Sequence, residues 1–152
     1  MNTLGIRAKP CSVIIAVYDT ERTSIVNVEE IKIPKALPTP EALKYIRNSI
    51  LDILREFKIE KGGLRVVESN SQTLKIRRIE IEGVIQEAFA SSMLFAYFCG
   101  QISTITAKLR MERTDFKLYI EGTKIYEAVE NWNDHSKEEK EAILTALGAV
   151  HA

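Results

Sequence analysis

Only two of the 152 residues are cysteine, four are proline, seven are glycine and one is tryptophan, and the 21 basic side chains are cancelled by 21 acidic ones. Two cysteines are too few for the disulfide framework of a small secreted scaffold. Cys11 and Cys99 each adjoin an apolar, strand-like run, where a thiol is expected to be buried as a small hydrophobe. The charge balance leaves no overall field to draw the chain onto nucleic acid or an anionic membrane, so any such contact must come from a local patch. The longest apolar runs, Val13 to Tyr18 and Met93 to Cys99, fall far short of the ~20 residues that span a bilayer. Met1 to Pro10 has no uninterrupted apolar stretch followed by a small-residue cleavage site, so a secretory signal is not expected. Gly62-Gly63 lacks the further glycine of a nucleotide-binding loop, and there is no internal repeat. The expectation is a cytoplasmic protein without a membrane partner.

What the sequence does contain is a globular composition, 45% hydrophobic and 28% charged, in a length that suits one domain over residues 1–152. Thr3 to Ala8 and Ser12 to Tyr18 read as two strands joined by a turn at Lys9-Pro10, and Ser24 to Ile33 reads as a third, half-exposed strand. Pro34, Pro38 and Pro40 then stop the sheet. Pro40 suits a first helical turn, and Leu43, Ile46, Ile50, Ile53, Leu54 and Phe57 recur at helical spacing through Lys58. Gly62-Gly63 is expected to end that unit before a short strand, Leu64 to Val67, that closes on Glu68. A second helix is predicted over Ile76 to Ala90; Gly83 within it suggests a close packing contact. Met93 to Cys99 is predicted as a fifth strand buried on both faces, followed by a short helix from Ser103 to about Leu109.

Residues 110–133 read two ways: Phe116, Leu118 and Ile120 alternate like a strand, whereas Ile125, Ala128, Val129 and Trp132 fit a helix. Ser136 and Glu139 form a capping box that opens a final helix with Ile143, Ala146, Leu147 and Val150 on one face. The predicted fold is α/β: a five-stranded mixed sheet, three strands antiparallel and then two parallel, with helices on both faces.

Four short segments in this order and spacing carry a resemblance: Leu4-Gly5-Ile6, Val66-Val67-Glu68, Ile81-Glu82-Gly83-Val84-Ile85 and Glu141-Ala142-Ile143. Over about the whole chain the pattern resembles the RNase H-like superfamily, in particular small bacterial proteins related to RuvC-type Holliday-junction resolvases. The resemblance implies an acidic residue in the first strand, one closing the fourth, and one or two on the last helix. Such carboxylates hold two divalent cations about 4 Å apart that activate water for attack on phosphate. Here it carries the later positions to Glu68 and to Glu141 or Glu138, and the first position falls on Arg7, which cannot ligate a cation. Arg7 is expected to pair with Glu68 across adjacent strands. The expected function is a resolvase-like domain that has lost nuclease activity and acts by binding or assembly, without a cofactor, as a homodimer or with a partner protein. The alternative is a Mg- or Mn-dependent nuclease on structured DNA or RNA, its missing ligand supplied by Asp19, Glu82 or Asp134.

The remaining candidates each have a plainer reading. Arg7, Lys75, Arg77, Arg78, Lys108 and Arg110, with Arg113 and Lys117 nearby, could contact nucleic-acid phosphates weakly, or Lys75 onward could be a solvated face interleaved with Glu80, Glu112 and Asp115. The acidic run Glu127, Glu130, Asp134, Glu138, Glu139 and Glu141 could favour self-association or be an ordinary helical surface. Asp134-His135-Ser136 offers one imidazole and reads better as a helix entry than as a metal site. Ser69, Ser71 and Thr73 have no recognisable base, and Trp132 and Tyr126 read as core or interface.

Overall fold

The computed structural model describes all residues, 1–152. Three antiparallel strands open the chain: β1 (Asn2–Ala8), β2 (Ser12–Asp19) and β3 (Ser24–Lys32). Helix α1 (Thr39–Glu56) crosses to β4 (Ile59–Arg65), and α2 (Ile76–Ala90) crosses to β5 (Ala96–Gly100). Helices α3 (Ile102–Leu109), α4 (Arg113–Glu121) and α5 (Lys137–Ala149) follow, with a 3-10 turn at Trp132–Asp134 before the last. The sheet order is β3-β2-β1-β4-β5, with β4 parallel to both β1 and β5. This is the predicted mixed sheet.

Two-residue periodicity divides the central strands between two cores. Leu4, Ile6 and Ala8 of β1, with Val13, Ile15 and Val17 of β2, pack against α1 and α2 through Ile46, Ile50, Ile81 and Ile85. Ile14 and Ala16 face the other way, with Ala142, Ile143, Ala146 and Trp132. The alternate residues of β1 on that second face are Thr3, Gly5 and Arg7, and all three meet α5. Thr3 Oγ1 donates to the Ala146 carbonyl at 2.7 Å, and Arg7 Nε donates to Glu141. Between them, a Cβ on Gly5 would lie only 2.9 Å from Ala146 Cα and closer still to the backbone of Ala142. A small residue is required because the helix backbone lies directly on the strand.

Several expectations are corrected. β4 begins at Ile59, so Gly62-Gly63 lies inside the strand; a Cβ on Gly62 would meet Phe89 and Leu94, and one on Gly63 would meet Phe98 and Thr145. The strand ends at Arg65, three residues before Glu68. β5 is an edge strand, with Met93 and Phe95 just before it 99% and 85% exposed, because no helix covers its outer margin. Cys11 and Cys99 are both exposed free thiols, the first in the β1–β2 turn and the second on the edge strand β5. Residues Arg113–Glu121 form a helix, with Phe116 buried, and the 125–132 stretch is held by turns rather than a helix. Gly83 has open space around it instead of a packed neighbour. No helix is long and apolar enough to cross a membrane.

The two glycines should respond oppositely to alanine. Gly5→Ala forces α5 off the sheet and is expected to destabilise by about 3 kcal/mol or more, as overpacking against backbone does. Gly83→Ala is expected to stabilise by about 0.5–1 kcal/mol, the helical cost of glycine. Denaturant unfolding of both variants, read by circular dichroism, checks the pair.

Candidate functional site

β1 and β4 run parallel, and their register sets Arg7 directly beside Arg65 at the carboxyl ends of the two strands. Two guanidinium groups thus leave adjacent strands on the same face, under the first turns of α5. Glu141 takes the Arg7 Nε hydrogen bond on Oε2, and its Oε1 lies 3.6 Å from Arg65 Nη2. The same Arg65 nitrogen lies 3.5 Å from Glu68 Oε1. Arg65 is only 5% exposed, so its charge sits between the two carboxylates and away from water.

Glu68 has further partners. Its Oε1 accepts the Ile102 N–H at 2.9 Å, at the start of α3, and its Oε2 lies 3.8 Å from Arg113 Nη2 on the rim. A third pair adjoins: Arg78 Nε donates to Glu82 Oε2 at 2.8 Å, and Glu82 Oε1 accepts the Val67 N–H at 3.1 Å. Three arginines and three glutamates therefore meet within one shell. Burial pushes the Arg65 guanidinium below its usual pKa; Glu141 and Glu68 oppose that shift, while Arg7 and Arg78 add to it. Arg78 is lowered by burial first and then by repulsion from Arg7, with Glu82 opposing. Neither loses its charge near neutrality, because an arginine starts from so high a value. Arg65 Nε and Arg78 Nη2 remain buried without a hydrogen-bond partner.

The backbone adds its own field. α1 begins beyond the carboxyl end of β3 and finishes at the opposite edge, where Asn2 Nδ2 donates to the Phe57 carbonyl. α2 starts beyond β4, α3 starts at Glu68, and α5 starts above Arg7. Four helix N-termini thus point positive dipole ends at one edge of the sheet.

The sequence expectations are met in part. Glu68 and Glu141 are brought together, but Arg7 pairs with Glu141 and not with Glu68; the cation that holds Glu68 is Arg65, which sequence reading missed. Its signal was available, since Arg65 stands three residues before Glu68 and two strand positions beyond Gly63. Glu138 lies one turn earlier on α5, half-buried, without a hydrogen bond or ion pair to the cluster. Of the suggested replacement ligands, Glu82 is in the cluster, whereas Asp19 caps a turn at the opposite edge through Glu21 N–H and Arg22 N–H. Asp134 lies in the 3-10 turn. Arg78 is committed to Glu82, and Arg77 lines a separate cavity beside Pro10 and Cys11. Lys75 is exposed at the start of α2. Lys108 reaches the His151 carbonyl near the chain end, and Arg110 caps the far end of α3, so neither joins this edge group.

The divalent cations that the fold implies do not suit this donor set. No group of three His, Cys, Asp or Glu side chains comes close enough to hold a metal ion. A cation between Glu68 and Glu141 would have to displace the Arg65 guanidinium that already occupies that position.

The strand order, the two crossovers and the helix that carries Glu141 across β1 define an RNase H-like fold of the resolvase type. Among solved structures, Thermus thermophilus RuvC superposes with a TM-score of 0.74 at 14% identity, covering 97% of this chain and 92% of that one. T. thermophilus RuvC in complex with a Holliday-junction substrate superposes with a TM-score of 0.71, also at 14% identity, covering 97% and 91%. No protein-family model matches the sequence, and no curated protein sequence matches it either. The shared feature is the fold.

Two double-mutant cycles on unfolding free energy test the pairing. Arg7→Ala with Glu141→Ala should show a coupling of about 1–3 kcal/mol, whereas Arg7→Ala with Glu68→Ala, linked only through Glu141 and Arg65, should show a smaller one. Arg65→Met, which removes the buried cation that Glu68 and Glu141 share while leaving Arg7 on Glu141, should cost about 3 kcal/mol.

Proposed function

We propose that this chain is a resolvase-like domain that binds rather than cleaves, its two-metal chemistry replaced by a fixed set of guanidinium groups. The observation that carries this reading is the position of Arg65, buried between Glu68 and Glu141, with Arg7 on the other side of Glu141. A fixed charge there opposes the entry of a second cation, and a guanidinium offers only donors, so it can hold an oxyanion without generating a metal-bound nucleophile. The alternative, a Mg- or Mn-dependent nuclease, requires Glu68, Glu82 and Glu141 to exchange their arginines for metal. Calorimetric titration with magnesium and manganese, together with incubation on branched DNA, decides between them. The expected outcome is no saturable binding at millimolar metal and no cleavage. Metal-dependent cleavage abolished by Glu68→Ala would overturn the reading.

Two features support the nature of the binding. The positive ends of four helices attract phosphate to the carboxyl edge of the sheet, which favours weak, salt-dependent contact with nucleic acid. On another surface, Met93 and Phe95 before β5 and Tyr97 on β5 are exposed. Apolar side chains concentrated beside an open strand edge mark an association surface. The expected occupant is a second copy of the chain. Sedimentation equilibrium should give a dimer, and Phe95→Asp should shift it to monomer while leaving the circular dichroism spectrum unchanged.

A further inference from the structure

A second group of cations stands at the same sheet edge, on the side of β2 and β3, and nothing in the fold neutralises it. The β1–β2 turn, the end of β3 and the start of α2 enclose two adjoining hollows of about 270 and 440 Å³ that share Pro10, Cys11, Ile33 and Lys35. Their charged walls are Lys9, Lys32, Lys35 and Arg77, against the one acid Glu30. None of these four cations makes a salt bridge, although eleven ion pairs form elsewhere in the chain. Arg77 Nη1 is moreover buried with no hydrogen-bond partner.

The helix that carries Arg77 is built against its own dipole. α2 has no side-chain N-cap and no acid in its first turn, where Arg77 and Arg78 stand instead. α5 shows the ordinary solution in the same chain: a Ser136–Glu139 capping box with Glu138 and Glu139 in its first turn. Arg78 has Glu82 as its partner, so the uncompensated charges at the start of α2 are Lys75, out in solvent, and Arg77, in the wall of the hollow.

We propose that this cleft binds the terminal phosphate of a phosphomonoester, with Arg77 and Lys35 on its oxygens and Lys9 and Lys32 at the open mouth. A monoester phosphate carries close to two negative charges at neutral pH and offers three strong acceptor oxygens, which suits a site of four cations and one acid better than a singly charged diester does. The smaller hollow takes a phosphate group, and the larger one opens toward solvent for the remainder of the molecule. The source of that phosphate is either a small organic phosphate or the phosphorylated end of a nucleic-acid strand. Only the strand source rests on the nucleic-acid reading above.

Cys11 supplies an internal reporter, since it is exposed and lines both hollows, while the exposed Cys99 lies on β5. Alkylation of the two thiols is followed by mass spectrometry with inorganic phosphate, then with a nucleoside 5′-monophosphate, against sodium chloride of equal ionic strength. Both phosphates should slow Cys11 alone, and Arg77→Gln or Lys35→Gln should abolish that protection. A second arm compares one single-stranded oligonucleotide with and without a 5′-phosphate by fluorescence anisotropy. If the strand end is the source, the phosphorylated form should bind about tenfold tighter, one charge-assisted contact, and Arg77→Gln should erase the difference. Protection of Cys11 with equal binding of the two strands assigns the site to a small phosphate. No protection together with equal strand binding overturns the cleft and leaves the nucleic-acid reading standing. Protection with no binding of either strand does the reverse. The melting temperature of each glutamine variant confirms that a lost signal is not lost folding.

Discussion

A guanidinium withdrawn from water at the end of a parallel strand constrains everything around it. Arg65 is almost fully buried, and an ion in that position is tolerable only with opposite charge and hydrogen bonds close by. Glu68 meets the need from the segment leaving β4 and Glu141 from α5, so one side chain ties the strand end, the entry to α3 and the last helix to a common point. Arg7 adds a second, partly buried cation in register beside it, which Glu141 must also serve, and Arg78 with Glu82 completes a balanced set of three against three. Such a cluster gives little net stability over apolar residues of the same volume. Its effect is on geometry, because any arrangement that separates a member from the rest leaves a charge stranded in low dielectric.

Most of the scaffold was legible in the sequence because it is written in periodicity. β-branched alternation marked the first three strands to within a residue or two, Pro40 and the capping box at Ser136 marked two helix starts, and the crossovers followed from topology rules. The errors share a cause: they fell where tertiary position, not local pattern, decides. Gly62-Gly63 reads as a break, yet it is strand paired on both sides by β1 and β5, with Phe89 close against Gly62 and Phe98 filling the space a Cβ on Gly63 would take. The apolar run before Cys99 reads as doubly buried, yet it lies at the sheet margin, where Met93, Phe95 and Tyr97 are left exposed. Phe116 and Ile120 alternate as in a strand, yet helix α4 uses them to cover one side of the second core.

The site was half legible. Glu68 and Glu141 could be named because each closes or opens an element, and Arg7 because it stands where an acid was expected. Pairing could not be read, since it depends on register. Once β1 and β4 align Arg7 with Arg65, the nearer claim on Glu141 goes to Arg7, and Glu68, three residues beyond Arg65, falls to the latter. Lys108 and Arg110 stand apart from this cluster because α3 carries them away from the carboxyl edge, toward the chain end.

The fold keeps its attraction for anions whatever becomes of its carboxylates. Four helix N-termini converge on the carboxyl edge of the sheet as a consequence of connectivity, and their partial charges do not depend on which side chains sit below them. On the proposed reading, what changes is the nature of the positive charge added to that field. A divalent ion is exchangeable, accepts an oxygen from phosphate and from water together, and lowers the pKa of the water it holds. A guanidinium is permanent, planar and able only to donate, so it can orient a phosphate while leaving bound water as inert as in bulk. Replacing one by the other converts a centre that would turn over its ligand into one that retains it. On that reading the surface the ligand approaches need not change at all, and likeness of fold does not by itself carry likeness of activity.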